Sequence, residues 1–266
     1  MTASPEARLQ AVLASYPALT IAVSGGVDSM TLAHLAHRWA LDGVTMFHAV
    51  SPAVPGSATE RVQRHADAHG WKLSIGGSGE FEDGRYRANP VDRCYFCKTN
   101  LYDRIRALTD GIIASGANTD DLGDYRPGLK AAAERDIVHP FVEAAISKAE
   151  VRALARLHGL EDLAELPAQP CLASRIETGI AISADDLAFV NEVETALSPL
   201  LPRQAALRCR VTREGIVIEA DAEHAATPML KMQAMVLCAQ AGRLFAGVRA
   251  YERGSAFIGK PAVHHG

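Results

Sequence analysis

An apolar run that stops on a pair of glycines constrains this chain more than any other stretch of it. Residues 18–23 (Ala-Leu-Thr-Ile-Ala-Val) read as a buried strand, Ser24-Gly25-Gly26-Val27-Asp28-Ser29 follows, and residues 30–36 open an amphipathic helix. A strand, a glycine turn and a helix in immediate succession predict an α/β unit with an anion site at the turn. The glycines let backbone N–H groups approach a phosphate closely, and the helix N-terminus adds partial positive charge. Ser24 and Ser29 supply hydroxyl donors beside Asp28. No Gly-Lys-Ser or Gly-Lys-Thr is present at the turn, which excludes the Walker form of phosphate loop.

The alternation of strand and helix continues through the first part of the chain, as a doubly wound α/β sheet requires. Residues 43–50 and 71–75 read as further strands, with a helix between them from Thr59 to Gly70, whose glycine suits the position after a helix end. Residues 76–92 are polar and glycine-rich and read as one long loop, and loops of such length are often functional. Residues 112–115 form a short apolar strand running into Gly116-Ala117-Asn118-Thr119-Asp120-Asp121, and Ser147-Lys148-Ala149-Glu150 is a capping box. The texture changes at the proline-punctuated stretch 165–171. Ser183 caps another helix, residues 208–220 alternate as two strands about a turn at Glu214-Gly215, Pro228 opens a helix, and residues 244–250 read as a last strand. The expected organisation is a domain over residues 1–167, a connector over 168–179 bearing Cys171, and a smaller α+β domain over 180–266.

Composition narrows the classes of function. The 266 residues are 48% hydrophobic, enough to fill a core, and carry a formal net charge of -4. That balance argues against a nucleic-acid partner, which would call for a basic footprint. No apolar run approaches the roughly 20 residues of a membrane span, and the N-terminus lacks the basic and apolar regions of a signal peptide. A cytoplasmic protein is expected, with its cysteines reduced, metal-bound or catalytic rather than in structural disulfides.

Five cysteines divide into two groups. Cys94 and Cys97 form a C-x-x-C in Arg93-Cys94-Tyr95-Phe96-Cys97-Lys98, and Cys171 lies in Pro170-Cys171-Leu172-Ala173-Ser174-Arg175. Two thiolates three apart can share a metal or cluster, and a third from another segment can complete a three-thiolate set. Taken alone, a C-x-x-C is equally a redox pair or half of a zinc site. The flanking Arg93, Lys98 and Arg175 favour thiolate. Cys209, in an alternating strand, and Cys238, in an apolar helix, read as buried small hydrophobes.

Four motifs carry a resemblance. The Ser24–Ser29 hexapeptide resembles the PP-loop of the ATP pyrophosphatase superfamily (the adenine nucleotide alpha hydrolase-like fold), whose members cleave ATP between the α- and β-phosphates. With RCYFCK, GANTDDLGDYRPG at residues 116–128 and PCLASRI at residues 170–176, the order and spacing are similar to the LarE family, over most of residues 18–220. These are ATP-dependent sulfur transferases, some of them sacrificial, of nickel-pincer cofactor synthesis. The resemblance implies adenylation of a carboxylate of pyridinium-3,5-biscarboxylic acid mononucleotide and its conversion to a thiocarboxylate, with the finished cofactor serving lactate racemase. Members with one motif cysteine give up its sulfur, whereas those with three resemble binders of a 4Fe–4S cluster that carries sulfide. Cys94, Cys97 and Cys171 put this chain with the second group.

The resemblance also implies roles for other residues. Ser24, Gly25, Gly26, Asp28, Ser29 and Gly116 would hold ATP. Asp120, Asp121 and Asp124 would orient Mg²⁺, with Tyr125 in the same loop, and Arg126 would meet a phosphate. Lys98 and Arg175 would neutralise the adenylate or the substrate carboxylate. In the smaller domain Arg208, Arg210, Glu194 and Glu219 would receive the substrate phosphate. A homo-oligomer is implied, and no membrane. Alternative readings are a PP-loop thiolase acting on tRNA, a synthetase using ammonia, and a non-enzymatic nucleotide or redox sensor. A basic surface is missing for the first, and the second leaves the three cysteines without a task.

Overall fold

The computed structural model describes residues 3–40, 43–123, 126–202 and 204–252. In chain order the regular elements are α1 (Pro5–Ala14), β1 (Leu19–Val23), α2 (Val27–Ala40), β2 (Val44–Ala49), α3 (Gly56–His69), β3 (Leu73–Gly76), α4 (Gly84–Arg87), α5 (Arg93–Arg106), β4 (Ile112–Ser115), α6 (Pro127–Ala133), α7 (Pro140–Glu143), α8 (Lys148–Leu157), α9 (Glu161–Ala164), α10 (Ala184–Leu197), β5 (Leu207–Thr212), β6 (Gly215–Ala220), α11 (Ala222–Ala225), α12 (Pro228–Gln240) and β7 (Phe245–Ala250). They fall into two units. The first lies within Met1–Glu82 and Cys94–Gln169, the second within Asp83–Arg93 and Pro170–Ala262.

The first unit is built on a four-stranded parallel sheet of order β3-β2-β1-β4. Successive residues of a strand face opposite sides, and here each side meets its own core. Ile21, Met46 and Ala114 belong to a core with α1, α2, α3, α8 and α9 residues. Ala22, Phe47 and Ile113 pack with Leu101, Tyr102 and Ile105 of α5 and Ala132 of α6. Helices therefore cover both faces, as a parallel sheet with two apolar sides requires. The chain runs outward from β1 to β3 and then returns to the other flank of β1 as β4. The loops after β1 and β4 thus leave neighbouring strands in opposite directions, which is where open α/β sheets bind ligands.

The helix signals hold where they rest on local chemistry. Gly70 sits in the left-handed region at φ 68° after α3. Ser147 and Glu150 make a complete capping box at the start of α8, and Pro228 occupies the first turn of α12. Other signals give way to tertiary context. Residues 76–92 are not one loop: β3 runs to Gly76, Asp83 caps the short α4, and residues 83–93 belong to the second unit. The reason is a set of buried hydrogen bonds. Asn89, itself at φ 54°, donates through Nδ2 to the carbonyls of Glu177 and Ile180 at 2.9 Å each, and its carbonyl accepts from Gly179 N at 2.9 Å. Arg93 Nη1 in turn donates to Asn89 Oδ1 at 2.9 Å.

The second unit carries a three-stranded sheet of order β5-β6-β7. The hairpin at Glu214-Gly215 makes β5 and β6 antiparallel, and α12 carries the chain across so that β7 runs parallel to β6. Residues 170–179 lie in this unit rather than in a separate connector, and Ile176 bridges to Val211 of β5.

Candidate functional site

The glycine turn is braced from behind by α3. Gly25 has φ 82°, and a Cβ there would stand 2.9 Å from the Ala58 carbonyl oxygen and 3.0 Å from the Ala58 Cβ. Arg61 Nη1 donates to the Gly25 carbonyl at 2.8 Å. His48, fully buried on β2, completes the support. Its Nδ1 donates to the Val23 carbonyl at 2.8 Å, and its Nε2 lies 2.9 Å from Thr59 Oγ1. Within the turn Ser29 Oγ accepts from Ser24 N at 3.0 Å and donates to the Gly26 carbonyl at 3.3 Å, while the two serine hydroxyls lie 3.1 Å apart. The hydroxyls therefore set the loop's shape as well as offering donors. Gly25 is the glycine the fold demands. At Gly26 a Cβ would meet only Ser24 Oγ at 3.5 Å.

The loop after β4 closes on the same turn. Gly116 leaves no room for a side chain: a Cβ would lie 2.6 Å from Ser29 N and 2.9 Å from the Asp28 carbonyl carbon. Beyond it, Asn118 Nδ2 donates to Asp28 Oδ1 at 3.3 Å, and Asp28 Oδ2 pairs with Lys148 Nζ at the start of α8. Asp120 Oδ1 accepts from Lys148 N at 3.3 Å. Asp121 accepts from Asn118 N at 3.1 Å and pairs with the exposed Arg126 at 2.8 Å. Asp28, Asn118, Asp120 and Lys148 thus form one polar cluster at the carboxyl ends of β1 and β4. Lys148 is the member of this candidate site that sequence reading missed. Its position inside a capping box disguised it, although a lysine on the first helical turn has its charge against the helix dipole and so calls for another partner. Asp124 and Tyr125 lie outside the described residues.

The cysteine helix joins this region through Gly128. Cys94 and Cys97 lie one turn apart on α5, a spacing that shares a helix face, and both are half-buried. A Cβ on Gly128 of α6 would stand 3.0 Å from Lys98 Cγ and 3.7 Å from the Cys94 carbonyl. Lys98 extends its ammonium over the Tyr102 ring, 5.9 Å from the centroid. Within the first unit, residues 94–98 therefore neighbour Gly128, and Gly116 neighbours Ser29 and Asp28.

In the second unit the fourth motif is held by buried ion pairs. Cys171 is exposed, and no disulfide joins it to another described cysteine. Arg175, with only 5% of its side chain exposed, meets Glu194 through Nε and Nη2 at 2.9 and 2.8 Å. Its Nη1 donates to the carbonyls of Pro170 and Cys171 and to Ser174 Oγ, at 2.7, 3.3 and 3.0 Å. Burial opposes the Arg175 charge, and the Glu194 carboxylate more than offsets it, raising the pKa. Arg175 thereby ties the Cys171 segment to Glu194 of α10.

Arg208 and Arg210 share one face of β5, as alternation requires, and register puts Glu219 opposite Arg208 and Arg249 opposite Glu219. Glu219, wholly buried, accepts from Arg210 Nε at 2.7 Å and from Arg249 Nη2 at 2.8 Å, and Arg210 Nη1 also donates to the Ser174 carbonyl at 2.8 Å. Glu194 reaches β5 as well: besides Arg175 it accepts from Cys209 N at 2.9 Å. The Arg208 guanidinium lies 5.6 Å from the Tyr251 ring centroid. Burial, then the neighbouring Arg175, lowers its pKa. Cys209 and Cys238 are buried as expected, and burial pushes the Cys209 thiol well up, away from thiolate.

Among the described residues no group of three His, Cys, Asp or Glu side chains is already gathered as a metal site. The donor chemistry of α5 nonetheless fits one side of a soft metal or iron–sulfur group, since two half-buried sulfurs share a helix face. No described helix is long and apolar enough to cross a membrane.

No family model matches the chain. It is 39% identical over 192 residues to the uncharacterized protein slr1717 of Synechocystis sp., covering 71% of each chain. It is 29% identical over 203 residues to the pyridinium-3,5-bisthiocarboxylic acid mononucleotide synthase of Lactiplantibacillus plantarum, covering 74% of this chain and 73% of that one. To the uncharacterized protein MJ0830 of Methanocaldococcus jannaschii it is 26% identical over 207 residues, 76% of this chain and 77% of the other.

Proposed function

Because this chain belongs to the family that includes the Synechocystis protein slr1717, and is similar beyond it to a named synthase, we propose that it is an ATP-dependent sulfur transferase of the LarE type. The observation that carries the reading is the junction of the two switch-point loops, where Gly116 touches Ser29 and Asp28 meets both Asn118 and Lys148. That junction offers what cleavage of ATP between the α- and β-phosphates needs: a glycine turn of backbone donors at a helix N-terminus, a lysine for phosphate charge, and carboxylates at Asp28 and Asp120 able to orient Mg²⁺.

In the proposed reaction a carboxylate oxygen of pyridinium-3,5-biscarboxylic acid mononucleotide attacks the α-phosphorus. The bond to the bridging oxygen breaks and pyrophosphate leaves with its electron pair. Sulfur then attacks the activated carbon, and AMP departs. Cys94, Cys97 and Cys171 would hold a 4Fe–4S cluster. Such a cluster with three protein thiolates leaves one iron able to carry sulfide. Arg208 and Arg210, in a cluster where Arg175 and Arg249 bring the arginines to four against Glu194 and Glu219, would receive the substrate phosphate in bidentate fashion. The protein would act in the cytoplasm as a homo-oligomer on a small molecule, without a nucleic-acid partner.

The test is anaerobic purification followed by iron and sulfide assay, then pyrophosphate release with and without the pyridinium mononucleotide. Substrate-dependent pyrophosphate release together with about four irons per chain supports the reading. Release without bound iron, with Cys171 lighter by H₂S after one turnover, would replace the cluster by a sacrificial cysteine. No substrate-dependent release would overturn the enzyme reading in favour of a sensor.

A further inference from the structure

Half of the chain's ten histidines gather far along α2 and α3 from the glycine turn. His34 of α2 is the centre. It is 7% exposed, and both of its ring nitrogens are buried without a hydrogen-bond partner. The His69 ring of α3 meets it edge-on at 4.6 Å, and the His158 ring, at the end of α8, lies 6.4 Å away. His65 lies 5.7 Å from His69, and His37 follows His34 by one turn of α2.

We infer that this cluster is an acid-sensitive latch on the glycine turn, with α3 as the lever that carries its protonation to Gly25. The geometry of α3 makes the link. Its last turns hold His65 and His69 against His34, while its first turns place Ala58, Thr59 and Arg61 against Gly25 and the His48 clip. One 14-residue helix therefore touches both the cluster and the loop.

The surroundings determine the sign. Facing His34 are His65 and His69 of α3, His158 of α8, and Arg38 of its own helix. Counter-charges lie one layer out: Asp162 of α9 is 2.9 Å from His65 Nε2, and Glu6 of α1 is 3.0 Å from His158 Nε2. β1 contributes no titratable side chain, and β2 contributes only His48, held by Val23 and Thr59. His34 thus sits among imidazoles and a guanidinium, with the carboxylates on the far side of its neighbours. Burial first, then its histidine neighbours, lowers the His34 pKa from 6.5 to about 4. The unfolded or opened state binds the proton more readily than the closed one, so the closed cluster loses stability as pH falls from 6.5 towards 4. When α3 lifts from α2, Ala58 and Arg61 leave Gly25 and the loop loses its support.

The chain's two tryptophans report the event, because both flank the cluster: Trp39 lies 5.4 Å from the His158 ring, and Trp71 lies 6.2 Å from that of His65. The experiment follows tryptophan fluorescence and backbone hydrogen exchange at residues 23–29 between pH 7 and 4, in the wild type, His34→Leu and His69→Gln. The expected result is a fluorescence transition below pH 6.5 with loss of exchange protection in the loop, both flattened in the two variants when compared at equal pH. His69 is exposed, so its variant keeps the test informative should His34→Leu misfold. A fluorescence transition unchanged in His69→Gln, or one without any change in loop protection, would overturn the latch. The consequence for the ligand rests on the nucleotide reading above: ATP affinity should fall about tenfold more in the wild type than in the variants, in the usual range for coupled sites. Failure of ATP to bind at neutral pH counts against that reading, while fluorescence and exchange still decide the latch.

Discussion

The Cα hydrogen of Gly116 faces the backbone of Ser29 so closely that a methyl group there would stand 2.6 Å from the Ser29 nitrogen. Neither residue lies in strained backbone; the glycine is required by space alone. Gly116→Ala should therefore part the β4 loop from the start of α2. A stability loss of about 1–3 kcal/mol is expected from overpacking, together with a fall in ATP-dependent pyrophosphate release larger than the stability change explains. Urea unfolding and a pyrophosphate assay measure the two, and wild-type values in both would remove the junction from the site.

The paired glycines should respond differently. Gly25 is at φ 82° with Ala58 behind it, whereas Gly26 faces open space beyond Ser24 Oγ. Gly25→Ala is expected to cost about 1–3 kcal/mol through strained backbone. Gly26→Ala should fold normally and impair only ligand approach. Equal stability of the two variants in denaturant would contradict the bracing by α3.

Asp28 and Lys148 should act as a pair poised for ligand. Their side chains are 26% and 34% exposed, so the ion pair itself contributes little to stability. Lys148→Met should leave the unfolding midpoint nearly unchanged and reduce pyrophosphate release by about 10²-fold, the scale of losing one charge-stabilising donor. A large stability loss with activity intact would make the pair structural.

Much of this architecture was legible from local chemistry. The strand Ile112–Ser115, the Ser147 capping box, Gly70 and Pro228 follow from propensity and capping alone, and the structure keeps each. The excursion of residues 83–93 was not legible, because Asn89 takes its conformation from carbonyls at Glu177 and Ile180, remote in sequence. The helix α1 had a readable signal, Ser4-Pro5-Glu6, which serves as its cap. The pairing of Arg208 with Glu219 was half legible: a turn at Glu214-Gly215 fixes the register that sets them opposite each other. The burial of Arg175 was not, since it depends on α10 bringing Glu194 to it.

Arg175 and Glu194 form a nearly dry pair, 5% and 16% exposed. Arg175→Leu would strand the Glu194 carboxylate and release the Pro170 and Cys171 carbonyls, at an expected cost of about 3–5 kcal/mol. Adding Glu194→Leu should recover part of that loss but leave the Cys209 N–H without its acceptor. A double variant no more stable than Arg175→Leu, measured in urea, would show that the carboxylate is not the source of the penalty.

Alkylation of the native protein should sort the five cysteines by place. Cys171 is exposed, Cys94 and Cys97 are half-buried, and Cys209 and Cys238 are fully buried. Burial raises the pKa of Cys238, and burial reinforced by Glu194 raises that of Cys209 still further, so neither offers thiolate at neutral pH. In metal-free protein at neutral pH, iodoacetamide should modify Cys171 first, then Cys94 and Cys97, and reach the other two only on unfolding. Mass spectrometry of timed digests gives the order. Early modification of Cys209 would mean that β5 opens readily, and the arginine face it carries could not then be a preformed phosphate site. If bound iron–sulfur protects Cys94, Cys97 and Cys171 together, and leaves Cys209 and Cys238 as slow as before, the three-thiolate assignment gains a readout independent of catalysis.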